Sequence, residues 1–232
     1  MRAWLELARV SNLPTCVSNV LVGAAIGGVT CDIAWPAVGV VAVAVMLLYV
    51  GGMALNDVVD YRVDLRQRPE RPIPSGRIPL RTAAGAAIAC LVAGAGLTAL
   101  VGTPAVWFAV VLAAVIVVYD LVHKRVAASV VLMGACRGLV YLTAAAAVCW
   151  PLEVPVATIL TAAITVYVAL VTLLARVEAD RPGIRITVLR WLAGISLVDA
   201  IFLALLGRPG LAAAALGCLV ATVWGHRRIL GT

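Results

Sequence analysis

The sequence predicts an all-α fold: a polytopic transmembrane helical bundle of about eight spans. Of its 232 residues, 64% are hydrophobic and only 12% charged, about half the charged share of a soluble globular domain. One core could not bury so much apolar surface, so the bilayer must solvate most of it. The apolar residues fall in continuous runs near the ~20 residues that cross ~30 Å of hydrocarbon. These runs lack the alternation of a membrane β-barrel, which leaves helices to satisfy their own backbone in lipid.

Taken in order, the runs cover approximately 12–30, 35–58, 80–101, 104–121, 128–149, 154–177, 187–206 and 209–226. Pro14, Pro36, Pro104, Pro151 and Pro155 stand at or near segment starts, where proline costs no helix hydrogen bond. Stretches rich in Ala and Gly, such as 83–89 and 212–217, permit close helix–helix approach. The first run continues to spanning length and reads as a span, not a cleavable signal peptide. With no linker composition in view, the chain is expected to form a single domain, residues 1–232. The loops after the second and sixth spans both carry acids, arginines, proline and glycine, which suggests two related four-helix halves.

Charge sets the orientation. With both termini cytoplasmic, sixteen of the eighteen basic residues fall on that side, the exceptions being Arg137 inside the fifth span and Arg208 outside. This bias, with Trp4, Trp35, Trp150, Trp191 and Trp224 near segment ends, predicts a multi-pass protein of the cell (inner) membrane. It also accounts for the net charge of +7 without a nucleic-acid partner. The six cysteines form no CxxC pair and most lie inside apolar runs. They are expected to be small embedded residues rather than disulfides or metal ligands.

Charge is densest from Asn56 to Ile78, NDVVDYRVDLRQRPERPIPSGRI. Asn56, Asp60 and Asp64 are spaced i, i+4, i+8. On a helix each step of four drifts by only ~40°, so the three share one face while Asp57 points elsewhere. Such an oxygen-rich face suits Mg²⁺, which takes one or two carboxylates together with substrate phosphates. A solvated loop of Asp–Arg pairs would explain the arginines. It would not explain acids that begin before the apolar run has ended, where ionisable groups are costly. The following Arg68, Pro69, Arg71, Pro72, Pro74, Ser75 and Gly76 make a stiff cationic turn whose arginines suit diphosphate oxygens.

This stretch resembles the first aspartate-rich motif of the UbiA family of intramembrane prenyltransferases, NxxxDxxxD followed by a basic RPxPSG-type turn. The family is helical and transfers an isoprenoid from its diphosphate to an acceptor, using Mg²⁺. A second element, YDLVHKR at Tyr119–Arg125, is similar to the family's YxxxxKR. The resemblance implies that Tyr119, Lys124 and Arg125 contact diphosphate. By residue chemistry alone, Asp120 and Lys124 would instead form an i, i+4 pair. Arg137, in MGACRGL, is expensive at mid-span unless it faces a polar cavity. It is a candidate for the acceptor's anionic group, for the diphosphate, or for an ion pair with Asp199. EboC-like members of the family carry a similar Met-Gly-x-x-Arg stretch. Asp199 is assigned to the acceptor side or to structure. Asn12 and Asn19 would line the same cavity or bond to backbone.

Two departures matter. The family's second motif, DxxxD after the sixth span, is replaced by Arg176, Glu178 and Asp180. Residues two apart on a helix diverge, so one of them, Glu178, is assigned to a metal ion with Asn56, Asp60 and Asp64. Most members also have nine spans, against eight here.

The resemblance implies transfer of an isoprenyl group from a prenyl diphosphate to a hydrophobic or aromatic acceptor within the bilayer. The same fold could instead serve a non-catalytic isoprenoid-binding protein. A CDP-alcohol phosphotransferase would need a DGxxAR opening, which is absent. A transporter would place its polar groups near the midplane rather than at one end.

Overall fold

The computed structural model describes residues 1–178 and 185–229, and they form helices and turns without a strand. A short helix α1 (Arg2–Leu7) precedes α2 (Leu13–Gly27) and α3 (Trp35–Val59). A seven-residue helix, α4 (Tyr61–Gln67), follows α3 directly. Then come α5 (Leu80–Leu97), α6 (Thr103–Val122), α7 (Ser129–Val148), α8 (Val154–Glu178), α9 (Arg185–Leu205) and α10 (Pro209–Ile229). Eight of these, all but α1 and α4, are long and apolar enough to cross a membrane. Their boundaries fall close to the expected ones because proline and the charged loops punctuate them. Pro14, Pro36 and Pro104 each sit in a first helical turn.

Burial ranks the spans. α2 and α7 are 67% and 61% buried, whereas α6 and α10 are only 22% and 17% buried. The two central helices are the first spans of the two four-helix halves suggested by the loops. One apolar cluster joins α2 and α7 to α3, α5 and α6, and a second joins them to α8, α9 and α10. Exposed Trp107, Val110 and Val118 on α6, and Val220 and Trp224 on α10, are the surface a bilayer would cover.

The α2–α7 seam is close because glycine makes it so. Gly23 and Gly27 stand one turn apart, and a Cβ on Gly27 would lie 2.7 Å from the Ala145 carbonyl oxygen. A Cβ on Gly23 would likewise collide with the Tyr141 carbonyl. Backbones that approach this closely gain dispersion contact where no hydrophobic force acts between helices.

At one end of the bundle, the loop from Arg68 to Pro79 folds back under α1. Ile73 and Ile78 are buried there with Leu7, Ala54, Ala83 and Ala87. Gly76 turns the chain with φ +75°, a value glycine adopts without strain. Arg77 ties the loop to α1 through Glu6 at 2.7 Å. The opposite end corrects the reading of the cysteines. Cys31, in the α2–α3 turn, is disulfide-bonded to Cys149, at the end of α7. Their 118-residue separation hid the pairing, which arises only when the central helices lie side by side.

Candidate functional site

The site is assembled where α3 ends. α3 stops at Val59, and Asp60 forms a joint (φ −79°, ψ −5°) before α4 begins. The hydrogen-bond ladder survives the joint, since the Asp60 amide donates to Asn56 O and the Asp64 amide to Asp60 O, both at 2.9 Å. Asn56, Asp60 and Asp64 therefore still ascend turn by turn. Their side chains, however, take different partners.

Asp60 faces the end of α6. It accepts from Lys124 Nζ at 2.8 Å and lies 3.3 Å from His123 Nε2. Burial pushes its carboxyl up, but the bonds from His123 and Lys124 outweigh that and hold it below its ordinary value. The same contact raises the His123 imidazole, against a smaller opposing effect of burial. Tyr119 stacks on His123 with ring centroids 5.2 Å apart. Asn56 also reaches α6, where its Nδ2 donates to Asp120 Oδ1 at 3.0 Å. Asp120 Oδ2 is buried and has no hydrogen-bond partner among the described residues.

Asp64 faces the basic loop, accepting from Arg71 Nη1 at 2.6 Å. The same nitrogen lies 3.2 Å from Asp57, which also accepts from Arg9 at 3.1 Å. Asp57 therefore does not point away from the site. It lies two turns before Asp64, which returns it to nearly the same face, and Arg71 bridges the pair. All three aspartates are buried. Asp–Arg pairing of the kind weighed for a solvated loop is present, but it is buried rather than solvated.

Lys124 thus pairs across the bundle with Asp60, not along its own helix with Asp120. The loop that carries it is braced by Arg176 of α8, which donates to the carbonyls of His123 and Ala127 and to Ser129 Oγ at 2.7 to 3.0 Å. Arg68 and Arg125 are exposed at this end. Glu178 closes α8, but its side chain, like Asp180, lies outside the described residues.

An apolar cleft lies beside this cluster, within the bundle between α3, α6 and α7. Tyr119 and Asp120 stand at its polar end, and Val45, Leu48, Leu112, Ile116 and Val140 line it. Arg137 is part of its wall. Arg137 Nη1 donates to Asn19 Oδ1 at 2.9 Å, away from the lining, and its guanidinium lies 5.7 Å from the ring centroid of Tyr49, which also lines the cleft. Asn19 Nδ2 in turn donates to Asp199 at 2.8 Å. Asp199 is fully buried, also accepts from Ser18 and Tyr141, and is not among the cleft-lining residues. Arg137 and Asp199 are therefore linked through Asn19 rather than ion-paired. Asn12 is not among the cleft-lining residues, and its Oδ1 lies 2.6 Å from His226 Nε2.

Arg9, Asp120, His123 and Arg176 are additions that sequence reasoning did not assign to the site. Asp120 and His123 lie inside the YDLVHKR element, so their neighbours were the available signal. Arg9 and Arg176 gave none, since each acts through contacts 47 or more residues away.

The donor set here is hard oxygen: the Asn56 amide, Asp60, Asp64 and the unpartnered Asp120 Oδ2. Mg²⁺ takes such donors. Among the described residues no three His, Cys, Asp or Glu side chains are drawn within metal-binding reach of one another. Lys124 and Arg71 lie against the carboxylates instead. The chemistry of the donors fits the ion, and the basic side chains hold the place of its charge.

Comparison with known proteins places the chain among relatives. The profile of the UbiA prenyltransferase family matches residues 16–231. A digeranylgeranylglyceryl phosphate synthase of Methanopyrus kandleri is 42% identical over 101 residues, 44% of this chain and 36% of the relative. The enzyme of the same name from Ignicoccus hospitalis is 42% identical over 95 residues, 40% of this chain and 30% of its own. The matched stretch thus spans about a third of the length of these curated relatives. Among solved structures, one of digeranylgeranylglyceryl phosphate synthase superposes with a TM-score of 0.66 at 20% identity, covering 97% of this chain and 87% of that one. A UbiA homolog from Archaeoglobus fulgidus bound to GPP and Mg²⁺ gives 0.63 at 16% identity, over 96% and 85%. At these identities the superpositions speak to the fold.

Proposed function

Because the chain belongs to the UbiA prenyltransferase family, we propose that it transfers an isoprenyl group from a prenyl diphosphate to an acceptor within the membrane. One observation carries the reading. Buried aspartates, each held by a basic side chain, gather around the end of α3, where Asn56 bonds Asp120 at the polar end of an apolar cleft. A diphosphate head with a hydrocarbon tail has the same division of chemistry. The Mg²⁺ and GPP bound to the Archaeoglobus homolog, and the prenylated product named for the curated relatives, lend support.

In this reading Asn56, Asp60 and Asp64 would hold Mg²⁺, with Glu178 as a further candidate. The ion, when bound, neutralises diphosphate charge as the allylic C–O bond ionises. Lys124 and Arg71 do related work from the protein side. Each rests on an aspartate of this cluster and would donate to a phosphate oxygen of the bound diphosphate instead. Charge-assisted donors of this kind stabilise a leaving diphosphate. Arg68, Arg125 and Tyr119 complete the head-group contacts. Apolar walls keep water from the allylic cation until the acceptor captures it.

The whole of 1–232 is assigned to this one domain, with both termini cytoplasmic in the inner membrane. A non-catalytic isoprenoid binder is favoured by the replacement of the second acidic motif and by the ion-pairing of Asp57, Asp60 and Asp64 with protein cations. Asp60→Asn and Asp64→Asn decide between the readings. In reconstituted protein, each is expected to lower Mg²⁺-dependent diphosphate release from geranylgeranyl diphosphate at least about a hundredfold, as expected for loss of transition-state charge stabilisation. Release that survives both changes removes these residues from the reaction. No release by the unaltered protein with any acceptor favours the binding reading.

A further inference from the structure

We infer that the cleft holds the two isoprene units nearest the diphosphate and no more, and that Leu112, with Val45 and Val140, forms the floor that sets this limit. This rests on the reading that the cleft takes the donor's tail, and it names the length of tail that is recognised. Three helices give the same depth independently. The lining runs from Met53 to Val45 on α3 and from Asp120 to Leu112 on α6, eight residues in each case. On α7 it runs seven residues, from Met133 to Val140. At ~1.5 Å of rise per residue, the cleft is about 10–12 Å deep. An isoprene unit advances by four bonds of about 1.5 Å laid zigzag, roughly 5 Å when extended. Two units fill that depth. A third meets the floor, and a longer tail must turn aside, out of the cleft.

The floor is closed by packing. Nearer the polar end, the lining side chains of Met53, Ile116 and Met133 are half-buried, whereas Val45, Leu112 and Val140 are only 2%, 2% and 5% exposed. About one turn beyond them stand Val41, Ala109 and Ala144, which are buried with or against the same apolar cluster and do not line the cleft. Interiors of this kind pack as densely as organic crystals, so a chain cannot thread between these side chains unless a helix moves. Leu112 is the largest side chain of the floor, and its size therefore sets the depth most directly. Gly52 acts at the other end of the cleft. A Cβ there would lie 2.9 Å from Ile116 Cγ2, so the glycine keeps open the passage between α3 and α6 that the first unit occupies. Arg137, on the α7 wall, donates to Asn19 of α2 and leaves the floor to apolar side chains.

The test measures binding without turnover, so that it stands apart from the transferase reading. Purified protein in nanodiscs, with Mg²⁺ and no acceptor, is loaded with radiolabelled geranyl thiolodiphosphate, whose C–S bond ionises slowly. Unlabelled thiolodiphosphates of one to four isoprene units displace it, each compared at equal mole fraction in the lipid so that partitioning into the bilayer cancels. The second unit is expected to tighten binding at least about tenfold, and the third and fourth by less than about twofold each, because only contacts made inside the cleft add affinity. Leu112→Ala is expected to raise the step at the third unit to at least about fivefold, and Leu112→Phe to shrink the step at the second by a similar factor. Should both variants fail to fold, the unaltered protein still answers. A diazirine at the end of the two-unit tail is expected to label the peptides that carry Val45 or Leu112, read by mass spectrometry, and one at the end of the four-unit tail is not. The inference is overturned if the third unit's step equals the second's, if Leu112→Ala leaves the series unchanged, or if the end of the four-unit tail labels those peptides. Failure of the radiolabelled probe to bind would instead overturn the reading that the cleft takes a prenyl tail. Length-limited binding without any transfer would overturn the proposed activity and leave the inference intact.

Discussion

At the residue scale, two buried aspartates make opposite demands. Asp199 spends its carboxylate on donors from Ser18, Asn19 and Tyr141, whereas Asp120 has one oxygen with none. A buried acceptor without a partner costs about 1–3 kcal/mol. Asp120→Asn should therefore leave the melting temperature in detergent unchanged or raise it, while Asp199→Asn, which sets an NH₂ against existing donors, should lower it. A loss in both would show that Asp120 is satisfied in a way its geometry does not reveal. Arg71 bridges Asp57 and Asp64 with little exposure, so Arg71→Gln strands a buried charge at a cost on the order of 3 kcal/mol. Adding Asp64→Asn should recover part of that loss, a coupling that a double-mutant cycle measures. The spacing made Asn56, Asp60 and Asp64 legible, because period alone puts them on one face. It would have included Asp57 had two full turns been counted rather than one. The partners were not legible. Nothing local tells Lys124 to prefer Asp60 across the bundle over Asp120 on its own helix.

At the element scale, helix existence followed from apolar length and its ends from proline and charge, so the eight spans were readable to within a few residues. The joint at Asp60 was not. A helix that restarts after one residue keeps its i, i+4 pattern, and hydrophobic period does not record so small a break. Nor did the sequence rank the helices. α2 is central because Gly23 and Gly27 let α7 approach, a fact of pairing rather than of composition. Gly23→Leu should force the seam apart at a cost of about 1–3 kcal/mol. A melting temperature in detergent equal to that of the unaltered protein would show that the seam does not depend on this close approach.

At the scale of the whole molecule, charge and the disulfide mark opposite ends. Lys124, Arg71 and Arg9 gather at one end, and Cys31–Cys149 at the other. Disulfides persist in oxidising compartments, and basic loops stay on the cytoplasmic side, so both signals give one orientation. In intact cells, a membrane-impermeant maleimide should label Cys31 and Cys149 only after reduction and only from outside. Labelling that requires the inner face to be opened would reverse the topology. The central claim, that this bundle joins an isoprenyl tail to an acceptor, is tested most directly by mass spectrometry of lipid extracts from membranes supplied with geranylgeranyl diphosphate. The expected result is a new species, heavier than an existing membrane component by one isoprenyl chain, that disappears with a chelator or in Asp60→Asn. Extracts that stay identical with and without the protein, across donors of several chain lengths, would contradict it.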